Sequence, residues 1–171
     1  LDTCETVEIK GCNGNETDIK ISLWPVKDPE KETKFLNCGG DLNIPYGEVF
    51  TTPRLTGTTG LYHVQEMCLK GIFYHDLRLT FKDGWVVDAT CKEGKEYVMN
   101  RLLYPYQQVT MGEFAIGSNT KAYCIVHRYQ LGGRMPILIY EKMGPHIAIG
   151  DPCFARSEDA PIYNMYDHKE M

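Results

Sequence analysis

The 171-residue chain has no stretch approaching the roughly 20 consecutive apolar residues that a membrane-crossing helix needs, so the sequence does not read as a membrane-spanning protein. Positive charge is also scarce. Eighteen Lys and Arg stand against 23 Asp and Glu, the formal net charge is -5, and no basic run interleaves with aromatics. A nucleic-acid partner is therefore not expected. Paired cysteines are missing: seven thiols, at Cys4, Cys12, Cys38, Cys68, Cys91, Cys124 and Cys153, are odd in number and form no C-x-x-C. That pattern fits reduced thiols in a cytoplasmic protein better than a disulfide framework. No signal-peptide pattern opens the chain, and no repeat, low-complexity tract or linker divides it. The expectation is one domain over residues 1–171. Because it begins at Leu1 and not at Met, it is read as excised from a longer chain whose N-terminal domain is lacking here. Tryptophan occurs twice, and Trp24 and Trp85 are read as core anchors.

What is present is mostly strand-like. Thr17 to Leu23 alternates, with Ile19, Ile21 and Leu23 on one side and Asp18, Lys20 and Ser22 on the other, as a half-buried strand does. Pro25 to Lys34 reads as a surface loop, and Asn37 to Gly47 as an irregular turn region. Leu77 to Phe81 and Trp85 to Val87 flank Lys82-Asp83-Gly84, a hairpin signal, since glycine accepts the positive φ of a tight turn. Lys92 to Tyr104 changes period, with Tyr97, Val98, Arg101 and Leu102 at helical spacing and Pro105 as the stop. Val109 to Gly117, Ala122 to Tyr129 and Pro136 to Tyr140 read as further strands or extended segments. One helix among many strands predicts an α+β domain with a mostly antiparallel sheet. His63 and His75 read as surface or satisfied core histidines. Gly132-Gly133 reads as a turn, because no G-K-[ST] follows it.

Three segments place a single ligand type among glycine and apolar residues. They are Asn43-Ile44-Pro45-Tyr46-Gly47-Glu48-Val49-Phe50-Thr51-Thr52-Pro53, Met111-Gly112-Glu113-Phe114-Ala115-Ile116-Gly117, and Glu141-Lys142-Met143-Gly144-Pro145-His146-Ile147-Ala148-Ile149-Gly150. A carboxylate amid Phe, Ala and Ile is costly to bury without a partner. That partner is a divalent cation, or else a Lys, an Arg or the backbone of a turn. The residues alone leave both open and establish only a buried polar cluster.

The first segment resembles the N-x-P-x-G-E-V-F-T-x-P signature of the thermophilic-type metallo-aminopeptidases, the aminopeptidase T or M29 family. The second resembles that family's G-E-x-A-L-G and the third its H-x-A-x-G, in the family's order. The resemblance covers most of the chain from about Val7 onward and implies the C-terminal, metal-bearing part of such an enzyme. It implies two divalent ions (Zn, Co, Mn or Mg), with Glu48, Glu113 and His146 as ligands and Glu113 as the catalytic base. The family's terminal H-x-D pair falls on His168 and Glu170, with glutamate for aspartate. A family tyrosine falls on Cys153, and only Tyr163 or Tyr166 could replace it. The implied activity is release of N-terminal residues from a peptide substrate by a homodimer. The alternative is a catalytically inactive metal- or peptide-binding domain of peptidase descent. A cysteine hydrolase pairing Cys153 with His146 is a weaker reading, since no orienting Asn or Asp accompanies the two.

Overall fold

A computed structural model of the chain describes residues 1–39, 44–104 and 109–150. Within them nine strands form two antiparallel sheets. The larger sheet has the order β1-β2-β5-β6-β7, from β1 (Thr6–Lys10), β2 (Asp18–Ser22), β5 (Arg54–Leu69), β6 (Ile72–Lys82) and β7 (Trp85–Thr90). The smaller has the order β3-β4-β8-β9, from β3 (Leu36–Cys38), β4 (Glu48–Thr51), β8 (Met111–Gly117) and β9 (Pro145–Ile149). Helices are short: α1 (Lys95–Val98), which continues as a π-helical turn through Leu103, α2 (Thr120–Arg128) and α3 (Ile137–Tyr140). The architecture is the expected α+β with mostly antiparallel strands. None of these helices is long and apolar enough to cross a membrane.

The alternation read from Thr17 to Leu23 is realised in β2, whose Ile19 and Ile21 are fully buried. Each such side chain contributes roughly 1.5–3 kcal/mol of burial free energy. They join Leu77, Leu79 and Phe81 of β6 and Met111 and Phe114 of β8 in one cluster that draws on both sheets. The hairpin turn at Asp83-Gly84 has positive φ at both residues, 46° and 74°, as a two-residue turn of this kind requires. It also joins the sheets. Gly84 N donates to Thr58 O at 2.7 Å, and Met111 N donates to Gly84 O at 2.8 Å. A Cβ on Gly84 would lie 2.7 Å from the Cα of Leu55, so this turn needs glycine for space as well as for φ.

Two segments expected to be extended are helical. Ala122 to Tyr129 lies in α2 and its C-terminal cap, because Asn119 Oδ1 accepts from Ala122 N at 3.0 Å and opens a helix there. The buried members, Ala122 and Val126, are four apart, which is a helical spacing hidden within an apolar run. Pro136 to Tyr140 is the short α3, with Pro136 at its N-cap. The tryptophans are not core anchors. Trp24 is 55% and Trp85 39% exposed, and Trp24 lies under the Arg54 guanidinium, 5.9 Å away.

Candidate metal centre

Glu48, Glu113 and His146 come from three neighbouring strands of the smaller sheet. Glu48 begins β4 opposite Gly117, and in β9 His146 pairs with Ala115 and Ala148 with Glu113. Residues directly opposite in a ladder share a face, and so do alternate residues along a strand. Glu48, Glu113, Ala115, Gly117 and His146 therefore lie on one face. Val49, Phe114, Ile116 and Ile147 occupy the other face and pack into the core. A bulge between Met111 and Glu113 turns Met111 into that core, although strict alternation would have left it beside Glu113. Ala115 is fully buried on this face, and Gly117 lets the backbone of Glu141 and Lys142 pack directly against the strand.

One ligand atom from each of the three residues lies within 4.8 Å of the other two. His146 Nε2 is 2.8 Å from Glu48 Oε1 and 3.5 Å from Glu113 Oε1. On the far side of the ring, Nδ1 donates to Gly144 O at 3.1 Å, which orients the ring with Nε2 toward the carboxylates. Nε2 is buried and makes no hydrogen bond of good geometry, although Glu48 Oε1 lies 2.8 Å away. Burial pulls the His146 pKa down, but the Glu113 and Glu48 carboxylates outweigh it and hold it at about 9.

Sequence reasoning passed over Lys142. It is fully buried, and its ammonium contacts Glu48 Oε2 and also donates to Glu141 Oε1 at 2.8 Å. Burial works against its charge, and the Glu141 and Glu48 carboxylates more than compensate, raising its pKa. Burial likewise tends to raise the Glu48 pKa, but His146 and Lys142 hold it below the ordinary carboxylate value. The only signal for Lys142 in the sequence is its position beside Glu141 in the third segment. Its backbone is fixed by Asn119 N, which donates to Lys142 O at 2.8 Å, and by close packing on Gly117.

The remaining candidates fall elsewhere. His168, Glu170, Cys153, Tyr163 and Tyr166 lie outside the described residues. His63 is a satisfied core histidine: its Nδ1 accepts from Glu16 N at 2.9 Å, and its Nε2 lies 3.4 Å from Asp76 Oδ1. His75 is partly exposed between Glu93 and Glu66. Gly132-Gly133 forms a tight turn in which Gly133 N donates to Glu66 Oε1 at 3.2 Å. No two of the six described cysteines are joined in a disulfide.

The chain matches the model of the thermophilic metalloprotease family (M29) over residues 1–159. It belongs to that family. The M29 chain is also similar to the structure of wild-type AmpT from Thermus thermophilus, at a TM-score of 0.58 and 22% identity. The match covers 86% of this chain and 36% of that one, so the M29 chain spans about a third of AmpT's length. At this identity what the two share is the fold. No curated protein matches the M29 chain. Family membership makes this a metallopeptidase relative for which use of a divalent metal is the family's chemistry. The residues fit that chemistry: one imidazole nitrogen and two carboxylates form a borderline-to-hard donor set suited to Zn, Co or Mn, and the unsatisfied Nε2 is where a cation would be received.

Proposed function

We propose that this chain carries the metal centre of a peptidase that removes residues from the free N-terminus of peptides. The convergence of Glu48, Glu113 and His146 within 4.8 Å carries the reading, and these three residues would hold the ion. A divalent ion held there would polarise a peptide carbonyl and lower the pKa of water. Proton transfer falls to Glu113. Its side chain is 18% exposed against 5% for Glu48, and Glu48 is engaged by Lys142. Glu113 takes a proton from the attacking water and returns it to the departing amine, so the carboxylate is regenerated. The peptide's α-ammonium group pairs with the acidic face, which restricts cleavage to chain ends.

Glu113→Gln in the full-length protein tests this. Turnover of an aminoacyl-anilide is expected to fall by about 10²–10⁴-fold with the fold retained. Turnover like that of the wild type would remove Glu113 as the base.

The buried Lys142–Glu48 pair favours a second reading, a metal- or peptide-binding domain without turnover. Metal bound to a full-length protein that hydrolyses no anilide selects it. The resemblance also carries homodimerisation to this reading, and sedimentation of the full-length protein tests that part.

A further inference from the structure

The chain reaches Glu48 through a short loop whose backbone is anchored while its apolar side chains stay in water. Tyr46 O accepts from Asn119 Nδ2 at 2.9 Å, Gly47 N donates to Cys38 O at 3.3 Å, and Ser118 N donates to Gly47 O at 2.8 Å. Asn119 N also donates to Lys142 O, so one residue ties the loop to the segment that leads into His146. Gly47 permits the contact: its φ is 108°, and a Cβ there would lie 3.3 Å from the Cβ of Asn119. Ile44 is nevertheless 83% and Tyr46 65% exposed, and neither joins the core cluster. Leaving both in water forgoes the free energy of their burial, so packing does not account for them.

The chain itself bounds their distance from the proposed centre. Tyr46 is two and Ile44 four residues from Glu48, which puts their Cα atoms within about 7 Å and about 14 Å of its Cα. In the cleavage proposed above, the carbonyl under attack belongs to the first residue of the substrate. That residue's side chain branches from the carbon next to this carbonyl, so it has to be accommodated close to the centre. No Lys, Arg, Asp or Glu occurs from Ile44 to Gly47, and nothing on that stretch would compensate a charged side chain.

We infer that Ile44 and Tyr46 form one wall of the subsite for the first side chain of the substrate, and that they favour an apolar residue there. This rests on the peptidase reading above.

The test is the selectivity of the full-length protein toward leucyl-, glycyl- and lysyl-anilides. The wild type is expected to show its highest kcat/KM on the leucyl substrate. The glycyl substrate has no side chain and reads the centre without the subsite. Ile44→Ser combined with Tyr46→Ser is expected to lower the leucyl-to-glycyl ratio of kcat/KM by about 10–100-fold. Both positions are exposed, so neither substitution removes a packed side chain. A merely structural loop would shift the two substrates together, and an unchanged ratio overturns the inference. Tyr46→Glu offers a gain that misfolding cannot mimic: the lysyl-to-leucyl ratio is expected to rise by about tenfold or more. Unchanged ratios accompanied by altered sedimentation assign the pair to contact with a second copy, which overturns the inference and leaves the peptidase reading standing. So does a wild type that hydrolyses the leucyl substrate no better than the glycyl one. No turnover of any of the three by the wild type overturns both.

Discussion

His146 and Glu48 have opposite dependences on pH, and the signs follow from their neighbours. The His146 pKa rises from 6.5 to about 9 against the pull of burial, so without metal its contribution to stability is complete below 6.5 and is lost as the pH climbs through about 9. The Glu48 pKa is lowered from 4.5 despite its burial, so its contribution is complete above 4.5 and is lost as the pH falls through its folded value. The metal-free triad is therefore most stabilising between 4.5 and 6.5. In metal-free protein the imidazole resonances of His146 should titrate near 9, and His146→Gln should flatten the loss of stability between 6.5 and 9. Up to about 3 kcal/mol is at stake, and chemical denaturation at several pH values measures it. A cation at Nε2 displaces the same proton, so apparent metal affinity should increase with pH up to about 9.

At the scale of elements, the site depends on what β8 allows next to it. A Cβ on Gly117 would fall 2.2 Å from the carbonyl carbon of Lys142 and 2.4 Å from Glu141 O, both backbone atoms that cannot turn aside. Gly117→Ala should therefore push the segment from α3 to β9 outward and take Lys142 and His146 with it. The expected cost is about 1–3 kcal/mol in the denaturant midpoint, with metal affinity reduced as well. Unchanged affinity in this variant would separate β8 from the centre. The same strand shows what the sequence could reveal. Alternation and the Asp83-Gly84 turn made β2, β6 and β7 legible, because each was set by its own side-chain period and turn chemistry. The helix at α2 was not legible, since its β-branched and aromatic residues mimic a strand and its start depends on one asparagine. Glu48, Glu113 and His146 could be picked out through ordered segments. The partner of Glu48 could not, because Lys142 is 94 residues away and only the pairing of β4, β8 and β9 brings them together.

For the whole molecule, two sheets share one core, and the outer face of the smaller sheet carries the proposed centre. An ion bound there stabilises the folded chain by mass action. At 100 times its dissociation constant it adds about 2.7 kcal/mol. For a domain of this size that amounts to roughly 5–10 °C in the unfolding temperature, which thermal scans with and without chelator should show. No shift for any divalent ion would count against metal binding. The order β3-β4-β8-β9 has a further consequence, this time for rates. Glu48 meets Gly117 and Ala115 meets His146 only after distant strands have paired, and such pairings are slow to form. The full ligand set exists only when all three strands are in register. An ion should therefore leave the folding rate nearly unchanged and act as a brake on unfolding.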